Sequence, residues 1–407
     1  MKVDADAAGM DAARLNRIDE HLRSRYTDPG KIAGCQVAVL RRGHVAHYCE
    51  LGLADRERSV PVAEDTIWRI YSMTKPITGV ALMTLYERGH FQLTDPVSRF
   101  IPSWRSMKVG ELGQDGQMRL VDPARPVSIR DLLTHTSGLG YGRDNMDLNL
   151  ESEDGKVKAP STRFESLEDM VERQAGWPLR FQPGTHWLYS FGTDVCARLV
   201  EIISGRRFDE YLAGEIFSPL GMTDTAFYVD DERSPRFAAL YGRNSRKELV
   251  LLDDPHGSSY RKPPAFLSGG GGLVSTIGDY SRFCQMLAGG GELDGRRILG
   301  RKTVELMTVN HLPGGRTMAE FALPGGYGEV GFEGMGFGLT MAVSNGPAET
   351  GVVGTPGEFQ WGGAASTIFW VDPAEELAVV FMTQLLPSGT FNFRGQLKAL
   401  VYQAIVD

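Results

Sequence analysis

Two tetrads in this chain have a serine three residues before a lysine: Ser72-Met73-Thr74-Lys75 and Ser259-Tyr260-Arg261-Lys262. On one face of a helix that spacing brings the amine within hydrogen-bond reach of the hydroxyl, so the lysine can act as base to a serine nucleophile. The second copy is followed by Pro263 and Pro264, which forbid a continuing helix, so it reads as a loop. The first opens "ITGVALMTLYERG", a stretch apolar on nearly every side and closed by Gly89, which reads as a buried helix with a glycine cap. Pro76 falls in the first turn, where backbone N–H groups have no helical partner to lose. Burial of Lys75 in such a helix disfavours its charge and supplies a neutral, basic amine. The helix N-terminus adds positive potential for a developing anion.

Tyr189, in "HWLYSFGTD" just before a predicted helix, is a second group for proton transfer; a nearby cationic lysine would lower its pKa. The run "EFQWGGAASTIFWVD" provides a glycine-lined edge strand along which a substrate carbonyl can approach backbone N–H donors. Asp194, five residues after Tyr189, is either a neighbour of the site or an acid at a helix start. His135 and His186 are read as capping or packing histidines. His44 and His47, at odd spacing in one strand, do not form a chelating pair; with no H-E-x-x-H, no metal and no cofactor is implied. A Ser-His-Asp hydrolase would carry G-x-S-x-G, which is absent.

The elements that must position these groups are legible in outline. Leu15, Ile18 and Leu22 recur at helical spacing behind Asp11; "GCQVAVL" (34–40) and "VAHYCELGL" (45–53) form a hairpin. Helices are predicted at 128–136, 166–175, 193–204, 208–217 and 276–288, strands at "MGFGLTMAV", "STIFWVD" and "LAVVFMTQL", and a last amphipathic helix at 391–406. Strands at both ends around a helical middle predict an α/β layer of the α+β type built from 1–71 and 320–407, with a mostly helical domain, 72–319, inserted and the site in the cleft between them. The glycine-rich pieces 267–273 and 324–338 lack phosphate-loop endings and read as flexible loops at a cleft.

Composition narrows the partners. The 407 residues are 42% hydrophobic with a net charge of −8 and no long run of one sign, which disfavours nucleic acid and anionic membranes and favours a small ligand. The four cysteines show no paired spacing and read as reduced packing residues. With no apolar leader or membrane-length stretch, the expected location is the cytoplasm.

The segments "YSMTKPITGVALMTLYERGHFQLTDPV", "SIRDLLTHTSGLGYG", "FQPGTHWLYS", "YLAGEIFSPLGMTDTAF" and "GGGGLVSTIGDYSRF" together resemble the serine β-lactamase and penicillin-binding-protein superfamily. Within it the resemblance is to the class C β-lactamase-like branch and its family VIII carboxylesterases. The likeness implies a β-lactamase/transpeptidase-like fold, an antiparallel sheet flanked by the terminal helices. It also implies Ser72 as nucleophile, Lys75 and Tyr189 as the proton-handling pair, and the Ser72 and Ala364 N–H groups as oxyanion hole. Trp361-Gly362-Gly363 match the third motif, and Tyr141 resembles an aromatic that lines the cleft. Two departures matter: Phe191 replaces the asparagine of Y-x-N, and Trp361 replaces the lysine of K-T-G. The lost cation and amide favour neutral esters with short or bulky apolar acyl groups over β-lactams. The expected activity is therefore a serine carboxylesterase with weak β-lactam hydrolysis. Its rivals are an acyltransferase using the same groups and an inactive binding or scaffold protein.

Overall fold

The computed structural model describes residues 1–113, 117–141 and 163–407. Its main sheet has eight antiparallel strands in the spatial order Met335–Phe337, Ala342–Ser344, Phe359–Gly362, Ile368–Asp372, Leu377–Thr383, Gly34–Arg41, His44–Asp55 and Val60–Pro61. The N- and C-terminal parts of the chain meet where Gly34–Arg41 pairs along its length with Leu377–Thr383.

The central strands read as unbroken apolar runs because the sheet is covered on both sides. Val37, Val39, Trp370, Val379 and Phe381 face one core with Leu15, Ile18, Leu22, Leu397 and Val401 of the terminal helices. Their neighbours Ala38, Leu40, Phe369, Val371, Ala378 and Val380 face the larger core with Ile277, Tyr280 and Cys284. The two-residue period of a strand distributes one apolar run between two cores. Helix Phe393–Tyr402 lies against helix Arg17–Leu22 on the first face, and helix Ile277–Ala288 lies on the second.

The helices Ile129–Leu133, Leu167–Gln174, Phe208–Leu212 and Ile277–Ala288 fall within the predicted spans, and Gly192–Ser204 starts one residue before its span. The first carries the capping box that Ser128 and Asp131 predict, with Asp131 also held by Arg125 at 2.6 and 2.8 Å. The region between the sheet halves is not helix alone. Val109–Leu112 pairs with Met118–Val121, Trp68–Arg69 with Val274–Ser275, and Leu240–Arg243 with both Leu249–Asp253 and Leu385–Leu386.

Two strand expectations need correction. "MGFGLTMAV" is two strands separated by a tight connection over Gly338–Met341, in which the Gly338 N–H bonds the Met341 carbonyl and Thr340 has a positive φ of 73°. Alternation of small and apolar residues does not mark that reversal. Phe359–Gly362 is an interior strand, not an edge: it pairs on both sides, but with Ala342 and Val343 only through Gln360 and Phe359. Trp361 and Gly362 run past that pairing, so the strand becomes an edge locally at its glycine end.

Candidate active site

Ser72 lies in the short 3₁₀ turn Tyr71–Met73 that feeds helix Thr74–Glu87. All but two of that helix's fourteen residues are buried, as its all-round apolar pattern requires. Tyr71 holds φ at 42°, a strained value for a bulky residue, and so turns the chain sharply just before the serine. Three ties fix the turn: the Ile70 N–H to the Leu273 carbonyl at 3.1 Å, the Leu273 N–H to Thr74 Oγ1 at 3.2 Å, and Tyr280 Oη to the Met73 carbonyl at 2.9 Å.

Lys75 is fully buried, and its Nζ lies 3.4 Å from Ser72 Oγ. The same amine donates to the Gly270 carbonyl at 2.6 Å. Burial pushes the lysine pKa down to about 8, against the opposing pull of Asp194 and Glu329. The second tetrad is different in every respect. Ser259 and Lys262 are exposed, Ser259–Arg261 is a single 3₁₀ turn, and Lys262 is extended at φ −131°.

Tyr189 is buried, with the Lys75 amine 4.4 Å from its ring centre. Its phenol accepts a hydrogen bond from Trp361 Nε1 at 3.3 Å and has the Ser72 hydroxyl as a second hydrogen-bond partner. Burial holds the phenol pKa well above 10, and the hydrogen bonds from Ser72 and Trp361 only partly offset this. The expected lowering of this phenol by a cationic lysine is therefore corrected: desolvation dominates, and it drives the tyrosine and the lysine in opposite directions.

Tyr141, Phe191 and Phe164 form an aromatic wall beside Tyr189, with Tyr141 ring centres 5.5 Å from Tyr189 and 4.6 Å from Phe191. Trp361 is wholly buried, so it meets the site through the phenol. Gly363 is pressed against the turn that carries Ser72: a Cβ there would lie 2.4 Å from both the Ile70 carbonyl oxygen and Thr367 Oγ1. This contact brings the Gly362–Ala364 backbone up to the serine turn, and only glycine allows it. A cavity of about 470 Å³ borders Gly363 and is lined by Tyr327, Glu329, Thr367 and the half-buried Arg394. Val330, Met335, Ile368 and Phe393 line the same cavity, so it mixes polar and apolar groups, and the aromatic wall supplies apolar surface beside Tyr189. Arg394 donates to the carbonyls of Trp361 and Phe369, each at 3.0 Å, and braces the strand.

The structure also brings in residues that the sequence left open or missed. Asp194, in the first turn of helix Gly192–Ser204, accepts from Ser268 Oγ at 2.6 Å and from the Gly270 N–H at 3.0 Å. Burial raises its carboxyl pKa while Lys75 opposes the shift. Both readings of Asp194 are thus true: it is a helix-start acid and it anchors the carbonyl that receives Lys75. The glycine run 269–272 is a closely packed loop. A Cβ on Gly269 would lie 2.6 Å from Ala197 Cβ and one on Gly270 2.4 Å from an Asp194 oxygen, so four glycines signal close backbone approach. His135 packs edge-on to Tyr189 with ring centres 5.0 Å apart and its Nδ1 3.1 Å from Ser190 Oγ, which fits a packing histidine. His186 is exposed and stacks on Phe321.

The arrangement can do acyl-transfer chemistry: a hydroxyl flanked by a depressed amine and a phenol, beside a glycine-lined strand end. The family model described as Beta-lactamase matches residues 19–403. The chain belongs to the β-lactamase family. It is similar to Protein Rv1367c of Mycobacterium tuberculosis, 34% identical over 367 residues that cover 88% of each chain. It is also similar to Esterase EstB of Burkholderia gladioli, 32% identical over 410 residues, covering 94% of this chain and 93% of the esterase. Among solved structures, EstCE1, "a hydrolase with promiscuous acyltransferase activity", superposes with a TM-score of 0.77 at 27% identity over 96% of this chain and 99% of its own. The family places the fold as β-lactamase/transpeptidase-like, with the antiparallel sheet and flanking helices described above. Among the described residues, no helix is long and apolar enough to cross a membrane.

Asp194→Asn tests the link between the anchor and the amine. Loss of the carboxylate charge removes an attraction that raises the Lys75 pKa, so the acid limb of the kcat/KM profile is expected to move to lower pH. A purely structural role would lower kcat/KM at every pH and leave the limb in place.

Proposed function

We propose that this chain is a serine carboxylesterase of the family VIII type that hydrolyses neutral carboxylic esters through an acyl-Ser72 intermediate. The observation that carries this reading is the meeting of Lys75, Ser72 and Tyr189 with Trp361 where β-lactamases of this branch have a lysine. An indole N–H turned onto the phenol leaves no cation at that position for a β-lactam carboxylate. The esterase relative that spans nearly the whole chain supports the same substrate class.

The opposed pKa shifts divide the proton work. Lys75, near neutrality, is the base that takes the Ser72 proton as Oγ attacks the ester carbonyl. Tyr189, protonated, is the donor to the departing alkoxide. The tetrahedral oxyanion rests on the N–H groups of Ser72 and Ala364, the latter carried to the serine turn by the Gly363 contact. The C–O bond to the alcohol then breaks. Lys75 returns the proton it took from Ser72 to the Tyr189 phenolate, which restores a neutral amine. Water then adds to the acyl enzyme with its proton passed to that amine, and the proton goes on to Ser72 Oγ as the acid leaves. Tyr141 and Phe191 line the acyl side. The partner is a small-molecule ester. A cytoplasmic setting is supported by four free, buried cysteines.

A second reading, acyl transfer to an alcohol, is favoured by the activity that EstCE1's description gives it. Initial rates on p-nitrophenyl esters of graded acyl length, with a chromogenic cephalosporin and with a high concentration of an alcohol acceptor, separate the cases. Saturable ester hydrolysis with far slower cephalosporin turnover is expected. Cephalosporin cleaved faster than every ester would overturn the carboxylesterase reading, and a new ester formed ahead of free acid would replace it with the transferase.

A further inference from the structure

On the sheet face away from Ser72, three side chains with no part in ester chemistry converge. His47 and Cys49 are two residues apart on strand His44–Asp55 and so point to one side, where helix Arg17–Leu22 presents Asp19. Asp19 Oδ1 and His47 Nε2 are 2.7 Å apart, and the carboxylate, imidazole and thiol ligand atoms all lie within 4.8 Å of one another. A β-bulge at Ala46 separates His44 from His47: His44 is opposite Arg41 and His47 opposite Val39, so odd spacing does not set their faces apart, but His44 is exposed at the strand end and the buried pair is His47 with Cys49.

We propose that Asp19, His47 and Cys49 form a site for a divalent cation of the zinc class. The donor set decides the class. One thiolate, one imidazole and one carboxylate are the ligands that zinc takes in tetrahedral sites, whereas magnesium and calcium ask for oxygen alone. Bond lengths of about 2.0 Å to nitrogen or oxygen and about 2.3 Å to sulfur put tetrahedral ligand atoms roughly 3.3–3.8 Å apart. The three atoms therefore close on a cation by small side-chain rotations. The charges balance: binding displaces the Cys49 thiol proton, and thiolate plus carboxylate offset the two positive charges.

Access and surroundings fit the same reading. His47 and Cys49 are buried, but the Asp19 side chain is 34% exposed and borders a surface groove with Asn16, Glu20 and Arg23. A cation enters along Asp19, and a water can complete the tetrahedron on that side. Val37 lies directly opposite Cys49 on the neighbouring strand, and Cys35, two residues before it, lies on the same face. Cys35 is fully buried and feels the Asp19 charge, which places it just behind the three ligands. The bound ion clamps helix Arg17–Leu22 onto the sheet, remote from the serine.

The test uses the full chain, stripped with a chelator and titrated with Co²⁺ alone. One equivalent of Co²⁺ with a thiolate-to-cobalt charge-transfer band in the near ultraviolet, displaced by Zn²⁺, is expected, together with a rise in Tm on adding Zn²⁺. Cys49→Ser should lose the band and the Tm rise while hydrolysing p-nitrophenyl esters at the wild-type rate, which also reports that it folds. His47→Gln should weaken Co²⁺ binding by at least about tenfold, and Cys35→Ala should keep the band. A wild-type protein that shows no band, a band that survives Cys49→Ser, or one lost only in Cys35→Ala overturns the assignment and leaves an ordinary hydrogen bond between Asp19 and His47.

Discussion

Ser72→Ala is expected to lower kcat/KM for p-nitrophenyl esters by at least about 10⁴-fold, because removing a nucleophile leaves only binding and oxyanion stabilisation to act on water. Ser259→Ala, in the other S-x-x-K tetrad, is expected to stay within about twofold of wild type, as surface substitutions away from a site do. The contrast rests on placement. Ser72 is set by the strained Tyr71 turn at the mouth of a buried helix and has an amine 3.4 Å away, whereas Ser259 and Lys262 sit exposed on a turn that two prolines end. Hydrolysis that persists in Ser72→Ala, with the protein folded by circular dichroism, would move the nucleophile elsewhere.

Lys75→Met is the second large effect, an expected loss of about 10²- to 10⁴-fold, the usual contribution of a positioned general base. Its signature is the pH profile. A base must be neutral to act, and burial has brought Lys75 down to about 8. For wild type, kcat/KM should rise about tenfold per pH unit below pH 7 and level off above about pH 9. The Met variant, lacking the titrating amine, should lose that limb and give a flat profile over the same range. Lys75→Arg should not rescue activity, since a guanidinium has no neutral form in this range and its planar fork does not fit a pocket shaped to a point donor at the Gly270 carbonyl. A wild-type profile that is flat or falls with rising pH would remove Lys75 from the role of base.

How far the sequence reached depends on whether a residue's partner is near it in the chain. The motif helix, the capping box of Ser128 and Asp131, and the paired runs 34–40 and 45–53 follow from periodicity and local spacing, and the structure has them where those rules put them. Ser72 and Lys75 lie one turn apart, so their meeting was legible once the helix was. Asp194 and Gly270 were not. Their contact spans 76 residues and depends on glycines whose lack of side chain lets a loop press onto two helices. The glycine run itself was the available signal, since four in a row suit close packing as well as flexibility. The interior position of Phe359–Gly362 was hidden because Ala342–Ser344 is too short to announce itself and pairs with only two of its residues. The direction of the Tyr189 shift is not legible in the sequence because burial on this scale is a property of the assembled core, while the charge of Lys75 can be named from sequence.

Covalent labelling tests the central claim most directly. The protein is treated with a fluorophosphonate, its intact mass is taken, and the modified peptide is sequenced by tandem mass spectrometry. A single adduct on Ser72, formed in step with loss of ester hydrolysis, is the predicted result. Full inactivation with the adduct on another residue, or undiminished hydrolysis after complete labelling of Ser72, would contradict it.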